Sequence, residues 1–222
     1  MAKESEKARR RHKALPVGLV VSGKNLLIIG GGIDTVSRSR HATMFDWRAV
    51  RILLPEANAE VVEFAKSDSR IEIILRPAGE DDVRWADVVV KDSGNFGDAR
   101  EISGWCDKYR KLLNCVDRPE HCDLFYMSLL FRGPLVVGIS SGGDAPALSA
   151  AMRRHLEETL GAGWAAAAEM MAEVRNSLPP GRERMELLRR LGKNSELLEC
   201  VLANNVLGLR RVIDNELSSL RT

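Results

Sequence analysis

Residues 26–34 read Leu-Leu-Ile-Ile-Gly-Gly-Gly-Ile-Asp, an apolar run that drives straight into three glycines. This junction restricts the fold more than anything else in the chain. A run of Leu and Ile with no polar alternation is a strand covered on both faces, as in a parallel sheet. Glycines directly after such a strand allow a tight turn and let an anion approach bare backbone. The helix that follows supplies free N–H groups and the positive end of its dipole. Gly30-x-Gly32-x-x-Thr35 matches the dinucleotide fingerprint except at its last place. There a small residue permits close helix–strand packing, and Thr35 is β-branched and larger. The same glycines could also make a bare structural turn; their place on the first strand of an α/β pattern favours the nucleotide reading.

From Leu15 to about Ile139, short β-like runs alternate with helical patterns. The runs are Asn25–Ile29, Val50–Leu54, Ile71–Leu75, Ala86–Val90, Leu112–Val116 and Leu135–Ile139. Residues 57–66 and 97–111 carry apolar side chains at helical spacing. This alternation predicts a doubly wound α/β domain with a Rossmann-like parallel sheet. After Ser140-Ser-Gly-Gly143 the pattern becomes helical throughout, over residues 145–160, 164–177, 182–191 and 195–220. Met170, Met171 and Val174 are expected to form a packing stripe. The chain is therefore read as a disordered basic tail (1–14), a nucleotide-binding domain (15–143) and a helical region (144–222). Its many apolar helix faces point to a second copy of the chain as a partner.

Composition excludes several classes. The 222 residues carry a net charge of +2, so bulk charge argues for neither nucleic acid nor membrane. No apolar run approaches the roughly 20 residues of a membrane span. The basic N-terminus lacks the apolar stretch of a secretory signal. The four cysteines form no Cys-x-x-Cys pair, which fits free thiols in a reducing cytoplasm. The four histidines show no ligand spacing, so no metal site is expected.

Three further stretches can carry chemistry. Val50-Arg-Ile-Leu-Leu-Pro-Glu56 ends in an acid near the usual spacing of about 20 residues for a ribose ligand. Glu56 equally suits a solvated helix entry. No Arg follows to take a 2′-phosphate, which favours NAD over NADP. Leu112-Leu-Asn-Cys-Val-Asp117 ends in an acid at the strand edge that faces the ligand crevice. Asp117 can act as a general base, or cap the turn into Pro119. Ser140, Ser141, Gly142 and Gly143 can form a second anion nest, or an N-capping turn.

Together these stretches resemble the precorrin-2 dehydrogenases, including those fused into siroheme synthases or carrying sirohydrochlorin ferrochelatase activity. The resemblance rests on Leu15-Pro16, Gly30-Gly-Gly32, Asn114-Cys-Val-Asp117, Cys122-Asp-Leu-Phe125 and Ser140-Ser-Gly-Gly-Asp-Ala-Pro-Ala147, in that order. It covers about residues 15 to 160. It implies NAD lying over Gly30, Gly31, Gly32, Ile33 and Asp34, with Pro55 and Glu56 near the adenosine. It implies Asp117 as the catalytic aspartate, Ser140–Gly143 near the substrate, and a homodimer formed through the helical region. The implied reaction is oxidation of precorrin-2 to sirohydrochlorin, with iron insertion in bifunctional members. Departures fall in the cofactor half: Asp34 and Thr35 after the glycines, and Val90-Lys-Asp-Ser-Gly-Asn95 where the family favours Ala-Thr-Asp. Two alternatives follow. One is a ferrochelatase or tetrapyrrole-binding protein without the redox step; the other is a nucleotide-sensing dimeric module.

Overall fold

A computed structural model describes residues 14–94 and 96–219. The predicted basic tail falls, but for Ala14, outside the described residues. The chain divides into two compact units, one ending at Tyr126 and one beginning at Met127.

The first unit alternates strand and helix: β1 (Asn25–Ile29), α1 (Ile33–Thr43), β2 (Ala49–Leu54), α2 (Ala59–Ser67), β3 (Ile71–Leu75), α3 (Glu80–Trp85), β4 (Val88–Lys91), α4 (Ala99–Tyr109) and β5 (Leu112–Cys115). The strands form one parallel sheet in the order β3-β2-β1-β4-β5. Every residue of β1 is buried. The two-residue period of a strand sends Leu26 and Ile28 into one core and Leu27 and Ile29 into the other. Covered on both faces, β1 has no place for a polar residue except its first. There the Asn25 amide donates to the Trp85 carbonyl at 3.0 Å and accepts from Arg48 Nε at 2.9 Å. Strand order reverses between β1 and β4, so their carboxyl ends flank the crevice where ligands of such sheets bind.

The second unit opens with an antiparallel hairpin, β6 (Ser128–Arg132) and β7 (Leu135–Ile139), followed by α5 (Pro146–Thr159), α6 (Ala162–Ser177), α7 (Arg182–Leu191), α8 (Ser195–Leu202) and α9 (Val206–Ser218). Its core joins Met170, Val174, Leu187, Leu191, Val201, Leu209 and Ile213, with Met171 packed against it.

Several expectations change. Leu135–Ile139 is a strand but not one of the parallel sheet: it pairs with Ser128–Arg132 across a turn at Gly133, whose φ of 54° glycine adopts freely. That hairpin belongs to the second unit, so the division falls after Tyr126 rather than after Gly143. The long helix expected over 195–220 is two. Asn204 at φ 52° breaks it, and the Asn205 side chain accepts from the Gly208 N–H at 2.9 Å to start α9. The apolar periodicity runs on across the break, so the pattern alone conceals it. Between α1 and β2, Trp47 enters the sheet core. Finally, β6 and α3 are elements that the sequence pattern did not announce.

Candidate cofactor site

The glycine turn forms where the sequence places it. Gly30 continues the sheet pairing, its N–H donating to Leu53 O at 3.0 Å. A β-carbon at Gly30 would stand 2.3 Å from both Asp92 Cβ and Thr35 Oγ1, so no other residue fits. Gly32 is the N-cap of α1 and has no side chain to cap it. The cap comes from Asp92, directly after β4. One carboxylate oxygen, Oδ2, accepts from the Gly32 N–H at 2.9 Å, the Thr35 N–H at 3.2 Å and the Thr35 hydroxyl at 2.6 Å. Asp92 is 2 % exposed. Burial alone would raise its carboxyl, but the Thr35 hydroxyl and the Gly32 and Thr35 N–H groups outweigh it and hold the group at about 2.

A second carboxylate stands close. The Ser93 hydroxyl lies 3.0 Å from Asp34 Oδ2 and 3.2 Å from Asp92 Oδ1. Burial raises the Asp34 carboxyl, and the charge of Asp92 adds to that against the Ser93 hydrogen bond. On the other side of the turn, Pro55 and Phe96 bracket Gly31, each within 3.4 Å of where its β-carbon would be. The Asn58 amide donates to Gly31 O at 3.3 Å, tying the end of β2 to the turn. Glu56 is exposed one residue beyond Pro55.

These residues fit a pyrophosphate in part. The turn is free of side chains of its own, and the N–H groups of Ile33 and Asp34 make no hydrogen bond among the described residues. The two other donors, Gly32 and Thr35, are already taken by Asp92. The crevice expected to be bare is therefore partly filled by the chain's own side chains, Asp92 and Phe96.

Asp117 follows β5 on the same carboxyl edge of the sheet. Val116 pairs with Lys91 O at 2.9 Å, and Asp117 itself has φ 60°, the left-handed region that Asp tolerates better than most residues. It is exposed, and its carboxyl accepts no hydrogen bond among the described residues. Its neighbours Val116 and Arg118 line a hollow of about 440 Å³, together with Lys91, Ser93, Arg100 and His121. Lys91 is 5 % exposed, and its ammonium donates to the carbonyls of Asp92 and Gly94 at 2.9 and 3.0 Å. No group of three or more His, Cys, Asp or Glu side chains among the described residues is arranged to hold a metal ion. Cys115 is buried, and burial pushes its thiol and that of Cys122 up.

Ser140–Gly143 belong to the second unit. The Ser140 hydroxyl accepts from the Gly142 N–H at 3.1 Å, and the Ser141 hydroxyl accepts from the Ala145 N–H at 2.8 Å at the entry to α5. Gly142 and Gly143 have φ of 68° and 90°, with open space where a β-carbon would stand. The sequence reading gave no role to Asp92, Lys91 or Asn58. The one signal for the first two was a charged pair closing an apolar strand, Val88-Val-Val-Lys-Asp92.

A glycine turn at the switch point of a β3-β2-β1-β4-β5 parallel sheet defines a dinucleotide-binding α/β protein. Residues 17–128 match the family model described as "Putative NAD(P)-binding", and residues 132–159 match "Sirohaem biosynthesis protein central". The chain belongs to this NAD(P)-binding family. It is similar to the siroheme synthase of Saccharophagus degradans, 26% identical over an alignment of 218 positions that covers 92% of this chain and 45% of that protein. It is 30% identical to the siroheme synthase of Ectopseudomonas mendocina over 64% of this chain and 30% of that protein. The match to the Pseudomonas entomophila siroheme synthase is 26% over 74% and 35% respectively. The chain thus spans less than half the length of these relatives. Among solved structures, "SirC, precorrin-2 dehydrogenase" shares the fold, with a TM-score of 0.68 at 19% identity over 91% of this chain and all of that one.

Proposed function

We propose that the chain is an NAD-dependent dehydrogenase that oxidises precorrin-2 to sirohydrochlorin in siroheme or related tetrapyrrole synthesis, working as a cytoplasmic homodimer. The observation that carries the reading is the shared edge: the Gly30–Gly32 turn and Asp117 both stand at the carboxyl end of one parallel sheet. The siroheme synthase relatives and the precorrin-2 dehydrogenase neighbour point to the same substrate.

In this reading the backbone at Gly30–Gly32, with the N–H groups of Ile33 and Asp34, holds the pyrophosphate, and Pro55 and Glu56 flank the adenosine. The absence of an Arg after β2 supports NAD over NADP. When bound, the nicotinamide supplies a hydride acceptor. Precorrin-2 loses two hydrogens, one as hydride and one as a proton, and Asp117 accepts the proton. The Arg100 and Arg118 side chains supply the positive charge that a substrate rich in carboxylates requires.

The test is anaerobic incubation of the purified protein with enzymatically made precorrin-2 and NAD, followed at 340 nm. Stoichiometric NADH and sirohydrochlorin are expected, and Asp117→Ala is expected to lower the rate about 100-fold or more, the usual scale for a lost general base. A folded protein that makes no NADH refutes the dehydrogenase, and an undiminished Asp117→Ala refutes that residue's role. A second reading is favoured by Asp92 standing on the Gly32 and Thr35 N–H groups: a ferrochelatase or tetrapyrrole-binding protein without the redox step. Sirohydrochlorin binding, or iron insertion into it, in a protein that never binds NAD would establish it.

A further inference from the structure

Resting on the cofactor reading, we propose that Asp92 is an internal occupant of the phosphate-binding turn, a carboxylate that competes with the dinucleotide pyrophosphate and sets the affinity of the site. A helix N-terminus binds a phosphate through its first free N–H groups. In this chain the turn presents four, on Gly32, Ile33, Asp34 and Thr35, and one Asp92 oxygen accepts from two of them. The Thr35 hydroxyl, a fifth donor, is held by the same oxygen. A pyrophosphate arriving at Ile33 and Asp34 meets half the usual donors and two carboxylates, Asp92 beneath the turn and Asp34 beside it.

The charge of Arg38 acts on both carboxylates, but Arg38 is not paired with Asp92. Among the described residues, no Lys or Arg forms an ion pair with Asp92. The ammonium of the adjacent Lys91 is turned to the backbone carbonyls of Asp92 and Gly94. Arg38, one turn along α1 from Asp34, lies over the Tyr126 ring at 4.1 Å from its centroid. The Asp92 carboxylate is held on the turn by a close fit: Gly30 leaves room for it, and Ser93 anchors its second oxygen. The arrangement is thus a built anion site, and the chain supplies its own anion.

The proposal separates Asp92 from an ordinary helix cap. A cap alone stabilises α1 and leaves cofactor affinity unchanged when it is replaced. A competitor weakens the cofactor, so its removal strengthens binding. Calorimetric titration of NAD and NADP into the wild-type protein, Asp92→Asn and Asp92→Ser tests this, with thermal melting to confirm that each variant is folded. Serine keeps a small hydrogen-bond acceptor without the charge, so it covers the case in which asparagine disturbs the turn. The expected result is NAD affinity about tenfold tighter in the neutral variants, the scale on which like charges in contact shift binding. Equal or weaker affinity in folded variants overturns the proposal and leaves Asp92 a structural cap, with the cofactor reading intact. No binding of either dinucleotide at millimolar concentration by any of the three proteins overturns the cofactor reading, and this inference with it.

Discussion

Asp92 shows how much one side chain can do when its partners are backbone. Its carboxylate accepts three hydrogen bonds on one oxygen, which keeps it ionised down to about pH 2 despite its burial. A carboxyl whose folded value lies below its unfolded value near 3.9 contributes stability at neutral pH. That contribution is lost as pH falls through the interval from about 5 to 2. For Asp92 the loss amounts to about 2 kcal/mol. Urea midpoints measured at pH 7 and pH 3 are expected to fall further in the wild-type protein than in Asp92→Asn, and equal falls would contradict the assignment. The residue was not legible in the sequence for a plain reason. Its partners Gly32 and Thr35 lie 60 and 57 positions away, and no local pattern links them. Asp117 was legible, because an acid directly after a buried strand of a parallel sheet has only one edge to occupy.

At the scale of elements, the strands were read more surely than their partners. β1, β3 and β7 have the bounds that their apolar runs predict. Only pairing assigned β7 to a hairpin, because its Val and Leu side chains suit either sheet. The helices of the second unit pack through positions that composition does not mark. Gly163 in α6 lies against α8, where a β-carbon would come within 2.1 Å of the Val201 carbonyl oxygen. Its N–H donates to Asn204 Oδ1 at 2.7 Å, which holds the α8–α9 break in place. Gly104 in α4 has nothing within 4 Å of the same position. Gly163→Ala is therefore expected to destabilise the protein by about 3 kcal/mol, since backbone must move to admit the methyl. Gly104→Ala should stabilise it by about 0.5–1 kcal/mol through helix propensity. Denaturant unfolding of the two variants checks both; similar effects from the two would show that the α6–α8 contact is not what the geometry indicates.

At the scale of the molecule, three cores serve two units, one on each face of the parallel sheet and one among the helices of the second unit. The first unit carries the cofactor turn, and the second leaves large apolar side chains uncovered. Leu148 and Met152, one turn apart on α5, are 69% and 54% exposed, and Leu202 and Leu207 lie open at the α8–α9 break. Such faces match the proposed homodimer. Light scattering coupled to size exclusion is expected to report twice the chain mass for the wild-type protein and the single-chain mass for Leu148→Asp/Met152→Asp. A wild-type monomer at high micromolar concentration removes the dimer from the proposal. Among the described residues no helix is long and apolar enough to cross a membrane.

What the chain's own order determined was the alternation of strand and helix, the glycine turn and the acid on the same sheet edge. Each follows from local preference and from the period of apolar residues, which are properties of neighbours. What only the tertiary structure decided was how full that turn is, which strands pair, and where the helical region breaks. These depend on groups far apart in sequence meeting in space: Asp92 on the N-terminus of α1, Ser128–Arg132 beside Leu135–Ile139, and Asn204 against Gly163. A carboxylate and a pyrophosphate seek the same N–H donors, and only the folded chain shows that Asp92 stands on two of them.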